Sequence, residues 1–186
     1  MPPAGSGFSL IELLVGLAIL SVLTVLAVPQ YRSLQGRGTL QASLSALSAD
    51  LLLARNTAIT RNRPVVLCKR VGITCTNNGG WEQGWLIYVD EGRPGIQEPT
   101  DPVIRQQDQL GYQASVRGNT PVRNRIAFRA DGSMTGVSGA IVFCDARIHD
   151  YASDRHEALI LVIANSGRLR TVRGDEYTSI NNCGAI

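Results

Sequence analysis

The chain has 186 residues, 44% of them hydrophobic and 18% charged, with a formal net charge of +3. That length holds one domain with a modest appendage, and the apolar content excludes disorder throughout and argues against a two-domain enzyme. Of the 18 basic residues only Lys69 is a lysine, so the positive charge is almost wholly guanidinium, which forks onto phosphates and carboxylates; this permits a polyanionic partner without requiring one.

Taken in chain order, the first element is the apolar stretch Phe8 to Val28, whose single ionisable side chain is Glu12. About 20 such residues span a bilayer as a helix. A cleaved secretory signal has its small-residue cut site after the apolar run, whereas here Ser6 and Gly7 precede it. Glu12 is the anomaly, because an acid at the middle of a membrane helix is disfavoured by about 2.5–3.5 kcal/mol and calls for a cation partner.

Pro29 is expected to kink the helix, and Gly36 and Gly38 to weaken it. Apolar positions then resume at Leu40, Leu44, Leu47, Leu51, Ala54 and Ala58, a 4-3-4-3-4 spacing that makes one helical stripe. Pro64 biases Arg63 away from helix, which ends the run near Thr60. The chain therefore divides into 1–7, an apolar half-helix at 8–35 and a globular part at 36–186.

Beyond Arg63 short β-branched and aromatic runs alternate with Gly, Asn, Asp and Pro. They are Val65 to Lys69, Trp85 to Val89, Val103 to Gln106, Tyr112 to Val116, Arg125 to Arg129, Ala140 to Cys144, Ala158 to Ala164 and Leu169 to Arg173. Such runs predict an antiparallel sheet, and with one long helix in front the fold class is α+β, the helix covering one face of the sheet.

The string Gly7-Phe8-Ser9-Leu10-Ile11-Glu12 leading into an apolar helix resembles the class III signal of type IV pilins and type II secretion pseudopilins. The resemblance implies that residues 1–7 are a leader, that a prepilin peptidase cuts between Gly7 and Phe8 and methylates the new amine, and that Glu12 pairs with the amine of a neighbouring Phe8 during filament assembly. It also implies an inner-membrane protein with its globular part in the periplasm, later moved to a surface pilus beside other pilins. The order of Ala54-Arg55 and Ala58, Val65 to Cys68, Gly84 to Asp90, Ile126-Ala127-Phe128 with Asp131-Gly132, and Gly167-Arg168 is similar to the GspH/FimT family of minor pilins.

Cys68, Cys75, Cys144 and Cys183 would then sit in an oxidising compartment, where disulfides are expected. Three pairings are possible; the preferred one joins Cys68 to Cys75 and Cys144 to Cys183. No Cys-x-x-Cys pair exists and His149 and His156 follow no ligand spacing, so no metal and no cofactor are expected. No nucleophile elbow, His-Glu-x-x-His, P-loop or dinucleotide fingerprint appears, and the chain does not read as an enzyme.

Arginines gather in three clusters free of acids in sequence: Arg55, Arg61, Arg63, Lys69 and Arg70; Arg117, Arg123, Arg125 and Arg129; and Arg168, Arg170 and Arg173. The first two read as solvated faces. In the third, Gly167 closes a turn and strand alternation sends Arg168 and Arg170 to one face, with Leu169 on the other and Arg173 opposite them. Gly167-Arg168-Leu169-Arg170 also matches the Gly-Arg-x-Arg motif of FimT-type minor pilins, which implies binding of double-stranded DNA for uptake; contacts to phosphate would be independent of sequence, and Arg173, with Arg125 or Lys69, is expected to assist. The rival reading is a FimU-like or GspH-like subunit that primes pilus or type II secretion pseudopilus assembly without touching DNA.

Overall fold

The structure is a computed structural model, and it describes residues 10–110, 114–145 and 158–176, without the side chains of 25–35. The chain forms two compact units, Met1–Gly36 and Arg37–Ile186. One helix, α1, is assigned over Leu10–Arg61, and its helical backbone continues at Pro29, Gly36 and Gly38.

In the first unit the described large apolar side chains, Leu10, Ile11, Leu13, Leu14, Val15, Leu17, Ile19, Leu20, Val22 and Leu23, are all exposed. Among the described residues no helix is long and apolar enough to cross a membrane. The spanning segment expected at 8–35 extends beyond the described side chains at both ends.

In the second unit the predicted stripe of α1 is the core stripe. Leu40, Leu44, Leu47, Leu51, Ala54 and Ala58 are all buried, and truncating a buried leucine to alanine typically costs about 2–5 kcal/mol. The helix closes on Asn62, whose φ of 50° is left-handed. The amides of Arg63 and Asn62 donate to the carbonyls of Ala58 and Ile59 at 3.2 and 3.3 Å, the Schellman arrangement that satisfies the last carbonyls.

Two antiparallel sheets replace the single sheet expected. In the first, β1 (Val65–Val71) pairs with β3 (Trp85–Val89) on one side and with β2 (Thr74–Cys75) and β6 (Arg125–Phe128) on the other, and β4 (Val103–Gln107) is the edge beyond β3. The second runs β5 (Ala114–Gly118), β7 (Gly139–Asp145), β8 (Leu159–Ile163) and β9 (Leu169–Arg173), with β9 at the edge. β3 and β7 are buried at every position, and such strands read as continuous apolar runs that carry no signal of which sheet they join. Of the predicted strand Tyr112 to Val116, residues 114–116 lie in β5, which runs on to Gly118, and 112–113 lie outside the described residues; the two-residue β2 is an addition to the predicted strands.

The stripe of α1 packs on the inner faces of both sheets, against Val65, Leu67, Trp85, Ile87, Phe128, Phe143, Leu161 and Ile163. One polar pair pins helix to sheet inside this core. The Asp50 carboxylate, only 1% exposed, accepts the indole N–H of Trp85 at 2.8 Å and an Arg105 Nε–H at 3.1 Å.

Candidate functional site

The third arginine cluster sits at a hairpin built by register. Ile163 pairs with Leu169, Val162 with Arg170, Ile160 with Val172 and Leu159 with Arg173. The turn between β8 and β9 is tight: Gly167 N donates to the Ala164 carbonyl at 2.8 Å and Ala164 N to the Arg168 carbonyl at 2.9 Å. Gly167 takes φ of 77°, a conformation costly to any residue with a side chain.

Alternation then sorts the side chains. Leu169 packs on the core shared with α1, while Val172 packs in the cluster on the other side of the sheet. Arg170 shares the parity of Val172, and Arg173 that of Leu169, so the two arginines leave β9 in opposite directions. Arg168, Arg170 and Arg173 are all exposed, and among the described residues none has a side-chain hydrogen bond or ion pair.

The turn itself is fastened from below by a residue the sequence reading assigned to a solvated face. Arg55, on α1, donates from Nε to the Gly132 carbonyl at 2.9 Å and from Nη2 to the Ser166 carbonyl at 3.2 Å. The neighbouring turn is stiffened by Asp131, whose carboxylate accepts both the amide and the hydroxyl of Ser133 at 2.8 and 2.6 Å. These two bonds hold the Asp131 carboxyl below its ordinary range. In sequence, only the helical position of Arg55 beside Ala54 and Ala58 hinted that it lies at the margin of the core.

In the other two basic clusters several members stay exposed, as expected of solvated faces, while others are paired. Arg70 pairs with Asp108 at 3.2 Å, Arg117 pairs with Glu82, Arg125 donates to the Gly95 carbonyl, and Arg129 donates to the Met134 carbonyl at 3.2 Å. Arg61, Arg63, Arg123, Arg125 and Arg129 are exposed. Lys69 departs furthest from expectation, being only 2% exposed.

The first pairing of cysteines is present, Cys68 with Cys75. Cys144 is also disulfide-bonded, and its expected partner Cys183 lies outside the described residues. So do Gly7, Phe8, His149 and His156. Glu12 is described, exposed in the first turn of α1, where a carboxylate also suits the helix dipole. Among the described residues no group of acids, cysteines and histidines could hold a metal ion.

A helix that starts with exposed apolar side chains around one acid and packs its later stripe on antiparallel sheets is the architecture of the type IV pilin fold. The family model described as type II transport protein GspH matches residues 43–168, so the chain belongs to the GspH family of minor pilins and pseudopilins. A second family model, the prokaryotic N-terminal methylation motif, matches residues 4–28. Family and motif are those of membrane-anchored structural subunits assembled into a pilus or pseudopilus.

Solved structures agree on the fold. The type IV minor pilin FimU of Pseudomonas aeruginosa, in space group P21, is similar at 19% identity and a TM-score of 0.55, covering 75% of this chain and 92% of its own. The minor pseudopilin EpsH from the type II secretion system of Vibrio cholerae is similar at 10% identity and a TM-score of 0.51, covering 74% and 98%. No curated protein sequence matches the chain.

Proposed function

We propose that the chain is a minor pilin that enters a type IV pilus near its tip and binds extracellular double-stranded DNA for uptake. In this reading a prepilin peptidase cuts between Gly7 and Phe8 and methylates Phe8. Residues 8–35 span the inner membrane, with the globular part in the periplasm, until Glu12 meets the amine of a neighbouring subunit. Assembly then exchanges lipid for other pilin helices around the bare apolar side chains.

The observation that carries the DNA reading is that Arg168 and Arg170 are exposed on one side of a fastened hairpin, with no acid or acceptor among the described residues satisfying them. Guanidiniums so placed meet backbone phosphates, and binding of that kind is independent of sequence and falls steeply with salt. Arg173 points the other way and would add field rather than a shared contact.

The test is retardation of a short duplex by the full chain in detergent across a salt series. Arg168→Gln with Arg170→Gln should weaken binding and flatten the slope of log K against log salt by about 1.8, at roughly 0.9 per phosphate contact. An unchanged slope removes the hairpin from the account. A second reading, a structural subunit that primes pilus or pseudopilus assembly, is favoured by the bare apolar side chains of Leu10 to Leu23. Loss of piliation on deletion, with no duplex retained by the chain, would select it.

A further inference from the structure

Lys69 lies on the face of β1 that carries Val65 and Leu67, the face turned to the core. Its ammonium therefore enters the interior, where it donates to the carbonyls of Asn77 and Gly79 at 3.2 and 2.8 Å. Among the described residues no carboxylate pairs with it. A buried charge held only by neutral dipoles is costly to keep.

Two more cations face the same place. Arg117 and Arg123 line, together with Lys69, a recess of about 270 Å3. Arg117 is paired with Glu82. Arg123 is exposed and its side chain has no partner among the described residues. Among the described residues three cations against one carboxylate leave two positive charges uncompensated in one recess. Burial first, and then Arg117 and Arg123, lower the pKa of Lys69, against a raising effect of Glu82.

We infer that this recess is a phosphate site, in which Lys69, Arg117 and Arg123 hold one phosphate group. At roughly 30 Å3 per water the volume accommodates a tetrahedral oxyanion with a few waters. A phosphate with a charge near −2 matches the two uncompensated positive charges, and its oxygens accept from several directions at once, as three donors from separate elements require. A carboxylate has two oxygens in one plane and a single charge. The site is independent of the β8–β9 hairpin, because Arg117 is on β5 and Arg168 follows β8, at opposite ends of the second sheet.

The full chain in detergent is titrated with inorganic phosphate against chloride at matched ionic strength, following Tm and the 31P resonance. A saturable rise in Tm is expected, since a ligand bound only by the folded state stabilises it. Arg123→Gln, which breaks no contact of the described fold, should weaken phosphate binding about tenfold through loss of one charge-assisted contact. Lys69→Met is a second variant, and the Arg123 result stands even where that chain does not fold. Absence of saturation, an Arg123→Gln chain that responds as the parent does, or a response lost in the Arg168→Gln, Arg170→Gln chain would each overturn the assignment. Adding a short duplex to that last chain, saturated with phosphate, identifies the source. Displacement assigns the site to the backbone of a nucleic acid, and no displacement to a small soluble phosphate compound.

Discussion

The guanidinium of Arg55 occupies the space a side chain on Gly167 would need: a Cβ built there comes within 2.5 Å of its Nε, and still closer to the Gly132 carbonyl oxygen. Helix α1 therefore supports the arginine hairpin through a contact that tolerates only glycine. Gly167→Ala is expected to cost about 2 kcal/mol, from the left-handed φ and the collision together. Adding Arg55→Ala should not restore stability, because the Gly132 carbonyl still blocks the position and two hydrogen bonds are gone. Urea midpoints of the two single variants and the double variant check this.

Glu12 is the one acid among the bare apolar side chains at the start of α1. Replacing it with alanine makes that end more apolar, so retention in the membrane should persist while incorporation into filaments is lost. Immunoblots of sheared pili against the membrane fraction read both. Normal incorporation of the alanine variant would exclude the pairing of Glu12 with a neighbour's amine.

Tyr88 is fully buried and its hydroxyl has no hydrogen-bond partner among the described residues. Burial, with the nearby Asp90 charge, raises its pKa well above the ordinary 10.0. Tyr88→Phe is expected to stabilise the protein by about 1 kcal/mol at neutral pH, by removing an unsatisfied buried group. The sign at high pH follows from proton binding. Above pH 10 the unfolded chain loses the Tyr88 proton while the folded chain keeps it, so the stability of the parent falls with pH. The gap between Tyr88→Phe and parent should therefore widen above pH 10, and denaturant melts at pH 7 and pH 11 measure it.

The Cys68–Cys75 bond closes a short loop, with a sequence separation of 7, around the β1–β2 hairpin. The chain-entropy model gives about 2.5 kcal/mol for a loop of that size. Exchanging both cysteines for alanine should lower the urea midpoint accordingly while the sheets remain, since β1 is held independently by β3 and β6. Circular dichroism and denaturation of the variant separate the two effects.

Much of this was legible beforehand because it is local. The spacing of Leu40, Leu44, Leu47, Leu51, Ala54 and Ala58 is a helical period, and any packing partner must use that stripe. Gly167 between an apolar strand and alternating arginines is a turn whatever surrounds it. The partners of individual members of the first two basic clusters are not legible in this way, because charge along a sequence says nothing of what faces it in space. Arg70 met Asp108 and Arg117 met Glu82 only after strands distant in sequence had paired.

The sequence by itself determined the helix stripe, most of the strands and the β8–β9 turn, since each is set by neighbours a few residues away. Only the tertiary structure decided that strands divide into two sheets, that Lys69 is drawn into the interior, and that Arg55 lies beneath a turn 111 residues further along the chain. Those outcomes depend on which strands pair and which face each turns to the core, and no short stretch of sequence carries that information.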